Sequence, residues 1–153
     1  QLAKHVEFEP TNLPYNVEFL DWLTDQKKSG RQLILCTASD SKIANIIADH
    51  IGIFDEVIAS DGITNLAGVD KANTLVQRFG SQGFDYAGNS GADIDVWKKA
   101  KNGIVVNASA KLLDQAETCC NIEKHFPEQS LNLLSISKML RVHQWLKNIL
   151  LFI

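Results

Sequence analysis

Short, wholly apolar runs alternate along this chain with segments that repeat hydrophobic side chains at helical spacing. That alternation limits the possible folds more than any other feature. Leu33-Ile34-Leu35-Cys36, Val57-Ile58-Ala59 and Ile104-Val105-Val106 lack the polar alternation of a half-exposed strand, so each reads as a strand buried on both faces. Val17, Phe19, Leu20, Trp22 and Leu23 form a helical stripe that stops at Lys27-Lys28-Ser29-Gly30, with basic residues in the last turn and Gly after it. Ile43, Ile46, Ile47 and Ile51 make a second stripe, which Ser39 or Asp40 would cap. Further on, Lys71–Phe79 reads as a helix ending at Gly80, and Phe84–Ala87 as a strand running into Gly88-Asn89-Ser90-Gly91. Asp93–Lys101 reads as a helix ending at Gly103, followed after the next strand by a helix near Lys111–Glu117 and a strand around Cys119–Ile122. This β-α-β-α order with short connections predicts an α/β domain: a three-layer, Rossmann-like, mainly parallel sheet with helices on both faces.

Composition narrows the class. The 153 residues are 45% apolar and 22% charged, which suits one globular domain and excludes a disordered or fibrous chain. A formal charge of −3 argues against a dedicated nucleic-acid binder. The charge is uneven, because Ser130–Ile153 contains no acid but carries Lys138, Arg141 and Lys147. Such a tail points to a partner different from that of the body. Cys36, Cys119 and Cys120 show no metal-ligand spacing and read as reduced thiols, with Cys36 a small core residue. The opening QLAKHVEFEP has no apolar signal run, and its start on Gln1 suggests a piece of a longer protein.

Ligands of open α/β sheets sit beyond the carboxyl ends of the strands. The residues found there are Thr37-Ala38-Ser39-Asp40, Ser60-Asp61-Gly62, Gly88-Asn89-Ser90-Gly91-Ala92-Asp93 and Asn107-Ala108-Ser109. They are small and polar, as phosphate and metal-oxygen sites are, but taken singly they are also the residues of ordinary turns and caps.

Taken in order, a strand ending in Thr37, Lys71 opening a helix, and a strand running into Gly88-Asn89-Ser90-x-x-Asp93 resemble the haloacid dehalogenase-like (HAD) phosphohydrolase superfamily over residues 15–110. The resemblance implies that the Thr37 hydroxyl, with Ala38 beside it, and Lys71 bind the phosphoryl group. Thr37 and Lys71 would assist catalysis, and Asn89 and Asp93 would hold Mg²⁺. Ala59-Ser60-Asp61-Gly62, with Leu66-Ala67-Gly68, resembles the superfamily's short hairpin. Asn89 stands where the pattern has Asp, which implies weak or absent Mg²⁺ binding. The nucleophilic Asp-x-Asp of the first strand has no counterpart, since Asp93-Ile94-Asp95 follows the glycine loop instead. The expectation is a core lacking its first strand. Thr37, Lys71, Asn89 and Asp93 should converge on one cleft at the carboxyl edge.

Lys138-Met139-Leu140-Arg141-Val142-His143-Gln144-Trp145-Leu146-Lys147-Asn148, running into Ile149–Ile153, resembles the approach to the first membrane helix in UbiA-type prenyltransferase fusions. Trp145 and the basic residues suit a lipid surface, though the apolar run is short of the roughly 20 residues that a span needs. The expected organisation is a cap or linker remnant at 1–14, the core at 15–129 and an amphipathic helix at 130–153. The ligands implied are a phosphorylated small molecule or prenyl phosphate, and membrane lipid through the tail, on the cytoplasmic face of a membrane. Two functions remain: a phosphohydrolase-type domain inactive without its nucleophile, or a non-catalytic docking or phosphate-binding module.

Overall fold

The computed structural model describes residues 9–128 except 14, 62 and 64, together with the backbone of 151–152. Asn16 caps α1 (Val17–Lys28) by accepting from the Phe19 amide at 3.0 Å, while Lys27 and Lys28 lie against the negative end of the helix dipole. β1 (Leu33–Asp40) buries five successive residues, Leu33 to Thr37. Asp40 then caps α2 (Ser41–Ile51) by accepting from Lys42 N at 2.9 Å, and Gly52, at φ +75°, closes it in the left-handed region. β2 (Glu56–Ser60), α3 (Gly68–Phe79) and β3 (Asp85–Gly88) follow. A 3₁₀ turn at Gly91–Asp93 leads into the short α4 (Ile94–Trp97). β4 (Asn102–Ala108), the Ser109-capped α5 (Ala110–Glu117), β5 (Asn121–Pro127) and β6 (Leu151–Phe152) complete the described elements.

The fold is a Rossmann-like α/β sandwich. Its sheet runs β2-β1-β6-β3-β4-β5, with β1 parallel to β2 and β3, β4 and β5 parallel to one another. One face packs Phe19 and Leu23 of α1 and Ala44 and Ala48 of α2 against Leu33, Leu35, Ile104 and Val106. The other packs α3, α4 and α5 against Ile34, Cys36, Tyr86 and Val105. The two sets alternate along β1 and β4, as pleated strands require. Each fully buried Leu or Ile here is worth about 2 kcal/mol. The Trp97 indole meets its own polar need by donating to the Tyr86 carbonyl at 3.1 Å.

β1 and β3 do not pair directly. Among the described residues, β6 alone lies between them, two residues long and antiparallel to both: Ile34 and Tyr86 face Leu151, while Leu33 and Asp85 face Phe152. That corrects the helical expectation at 151–152. Two strands separated by one strand width leave ladder groups open, and an apolar extended segment satisfies them. The remaining tail expectations, including those for Lys138, Arg141, Trp145 and Lys147, lie outside the described residues.

Three boundaries also differ. α3 begins at Gly68, three residues early, without a side-chain cap. α4 ends at Trp97, because Gln82 N bonds Lys99 O and Lys101 N bonds Phe84 O, which draws the chain back toward the sheet. Gly103 is therefore inside β4. β5 starts at Asn121, since Cys119 and Cys120 turn off the end of α5, their amides bonding Ala116 O. No described helix is long and apolar enough to cross a membrane.

Candidate functional site

Thr37 ends the buried part of β1. Its Oγ1 accepts from Ser39 N at 3.0 Å, and the register with β2 slips between Thr37 and Asp40, so Ala38 and Ser39 form a bulge over the carboxyl edge. Beside Thr37 on the strand, the Cys36 thiol is fully buried and feels the charges of both Lys71 and Asp93. Burial pushes this thiol up to about 11; the Lys71 cation opposes that rise and the Asp93 carboxylate adds to it.

Lys71 lies in the first turn of α3 and is 1% exposed. Its Nζ donates to the Tyr86 hydroxyl at 3.2 Å. No carboxylate among the described residues comes within ion-pair distance of it. An ammonium has three donors, so two of them lack a described acceptor. A buried cation held only by a neutral phenol is costly to fold around.

Tyr86 in turn donates to Asp93 Oδ1 at 2.8 Å. Burial, then the Asp93 charge, raises its phenol well above the ordinary value, so it stays neutral and works as a donor–acceptor bridge. Asp93 is 2% exposed. Its Oδ2 accepts from Asn89 N at 2.9 Å, Ser90 N at 3.0 Å and Ser90 Oγ at 3.1 Å. Ser90 and Asp93 form a reciprocal capping box on the 3₁₀ turn. The carboxylate presses on the end of β3: a Cβ added at Gly88 would stand 2.8 Å from Asp93 Cγ and Oδ2. Only glycine fits there. Asn89 is half-buried, and its Oδ1 is shielded from water with no hydrogen-bond partner.

Lys71 and Asp93 are thus brought together by the Tyr86 phenol. Asn89 is tied to Asp93 through its backbone, and Thr37 lies next to Cys36 at the end of β1. Tyr86 was not singled out from the sequence, yet a signal was present: a tyrosine in a short buried strand needs a partner for its hydroxyl. Ser60 ends β2 in register with Asp40, and beyond it the described residues form no hairpin; Ser60 Oγ accepts from Leu66 N at 3.2 Å.

The donor set does not fit Mg²⁺. That cation takes six oxygens in strict octahedral array, usually including one or two carboxylates. A carboxylate has about four lone-pair sites, and the Asp93 oxygens already accept four bonds. Asn89 supplies one neutral oxygen. Among the described residues no group of three or more His, Cys, Asp or Glu could hold a metal.

No protein-family model matches the chain. No solved structure matches it either. A curated relative described as uncharacterized protein y4nM, from Sinorhizobium fredii (strain NBRC 101917 / NGR234), is 36% identical over 153 residues, a match covering 99% of this chain. The chain spans about 30% of that relative's length.

Proposed function

We propose that this chain is the phosphate-recognising part of a HAD-type phosphoryl-transfer domain within a longer protein. Lys71 would neutralise the phosphoryl group, the Thr37 hydroxyl and the Ala38 backbone would contact it, and the ligand would be a phosphate monoester or prenyl phosphate. The observation that carries this reading is the buried Lys71 ammonium, which has no described carboxylate partner and sits where doubly wound sheets bind ligands. Electrostatic stabilisation is what phosphoryl transfer asks of a protein, and an unneutralised buried cation supplies it.

The gap between β1 and β3 supports the same reading. A parallel strand in place of β6 would run on to end beside Thr37 and Asn89, and a carboxylate at its end would answer the Lys71 charge. Turnover needs such a nucleophile. The chain by itself therefore binds without turning over, with no hydrolysis of p-nitrophenyl phosphate expected. The acid-free, Trp-containing tail supports attachment of the parent protein to a membrane surface.

Titrating inorganic phosphate into the ¹⁵N-labelled chain tests the reading. Amide shifts should cluster at 37–40 and around Lys71 and Asn89, and Lys71→Ala should weaken binding at least tenfold. Shifts elsewhere, or none, or equal binding by the Lys71→Ala chain would overturn it.

A further inference from the structure

We propose that Asp93 is a positioning residue and not a cation ligand: through the Tyr86 phenol it orients the Lys71 ammonium, and with its other oxygen it holds the turn that carries Asn89. The inference deepens the reading above, because it says how the anion-facing lysine is held.

The bond count comes first. One Asp93 oxygen receives the Tyr86 hydroxyl and the other receives two amides and the Ser90 hydroxyl, so a cation would have to displace existing bonds. Nor do the described residues offer a second carboxylate to share the ion. The nearest in sequence, Asp95, is half-buried and paired with Lys98 at 3.6 Å. Space points the same way, since the Asp93 carboxylate is packed against Gly88 and shut off from water.

The phenol explains why the arrangement is useful. A direct Lys71–Asp93 ion pair would cancel the charge that an anion needs. A tyrosine hydroxyl has one hydrogen, and here it goes to Asp93 at 2.8 Å, which turns an oxygen lone pair toward Lys71 Nζ at 3.2 Å. The ammonium is held in place while remaining unneutralised. Hydrogen bonds to ionised groups are also the stronger kind, so a neutral bridge between a cation and an anion is polarised from both sides.

The test reads the lysine directly. A buried, hydrogen-bonded ammonium exchanges slowly and gives an NζH₃⁺ signal in ¹H–¹⁵N spectra. Asp93→Asn should move the Lys71 signal although Asp93 does not touch Lys71. Tyr86→Phe should move it as well, and adding Asp93→Asn to Tyr86→Phe should cause no further displacement. An unmoved signal in Asp93→Asn, or no ordered Lys71 signal in the unsubstituted chain, overturns the relay. In case the Asp93 variant does not fold, Ser90→Ala removes only one of the four bonds and should shift the Lys71 signal in the same direction by a smaller amount; an unmoved signal there counts equally against it. The cation half needs no variant. Mn²⁺, which takes the same oxygen ligands as Mg²⁺, should broaden the amides of Asn89, Ser90 and Asp93 no more than twofold beyond those of exposed Asp114 and Glu117. Selective broadening at 89–93 would make Asp93 a ligand and overturn the proposal. Neither readout uses phosphate, so failure here is separable from failure of the phosphate titration.

Discussion

The two ends of the four-residue strand β3 solve the same electrostatic problem in opposite ways. At the amino end, Asp85 meets the Arg31 guanidinium, and its other oxygen accepts from Asn102 N at 3.1 Å and Asn102 Nδ2 at 2.9 Å. Arg31 also reaches both Glu123 oxygens, at 3.0 and 3.1 Å, and Gln26 at 3.0 Å, while Asn121 bonds Asn102 at 2.9 Å. Charge meets opposite charge, and the cluster ties the approach to β1 to β3, β4 and β5 across the gap that β6 fills. At the carboxyl end, Lys71 meets a phenol, Asn89 Oδ1 meets nothing, and the carboxylate is taken up by its own turn. The first cluster is a clasp. The second holds a buried cation without a described opposite charge, which is what the proposed anion site would need.

Breaking the clasp should give the largest effect. Asp85→Ala leaves Arg31 without its least exposed partner and Asn102 N–H without an acceptor, so unfolding by urea should show a loss of roughly 3–5 kcal/mol. A loss under about 1 kcal/mol would mean that the amino-edge cluster is ordinary surface pairing. At the other end the sign reverses. Lys71→Met keeps most of the apolar stem, removes the buried charge and leaves Tyr86 bonded to Asp93, so the chain should gain about 1–3 kcal/mol while losing its phosphate response. A destabilised Lys71→Met chain would put both ends of β3 in the same structural category and remove the contrast.

How far this contrast is legible in the sequence depends on whether the signal is local. α1, α2 and α5 follow from apolar spacing with caps at Asn16, Asp40 and Ser109, because caps and periodicity act within one or two turns. The buried strands are equally plain, for an apolar run flanked by turns has few other uses. Long-range effects are not written locally. The early end of α4 comes from bonds to Phe84 and Gln82, and β6 fills a gap created by strands distant from it in the chain. The site was half legible. Thr37, Lys71, Asn89 and Asp93 stand out by order, yet a lysine at a helix start ordinarily reads as solvated. Its burial follows from α3 lying flat on the face that holds Cys36 and Tyr86. Asp93 stands out as a candidate ligand because spacing reveals a carboxylate but not the four bonds it already accepts.

The smallest effect concerns Cys36, and it sharpens the contrast by pH. This fully buried thiol faces Lys71 of α3, Tyr86 of β3 and Asp93 of the following turn, and it is pushed from an ordinary value near 9 to about 11, first by burial. The folded value is raised, so the protonated thiol's contribution is fully present below about 9 and is lost as pH rises through about 11. For one such group the loss at pH 10 is on the order of 1 kcal/mol. Cys120, also pushed up to about 11, titrates in the same window but is only half-buried. Tyr86, held higher by the same burial, ionises later. Urea midpoints at pH 8, 9 and 10 separate these groups. Cys36→Ala should lower stability at pH 8 by about 1 kcal/mol through the small cavity it leaves, and it should flatten the decline toward pH 10 more than Cys120→Ala does. A decline as steep in Cys36→Ala as in the unsubstituted chain would place the alkaline sensitivity elsewhere.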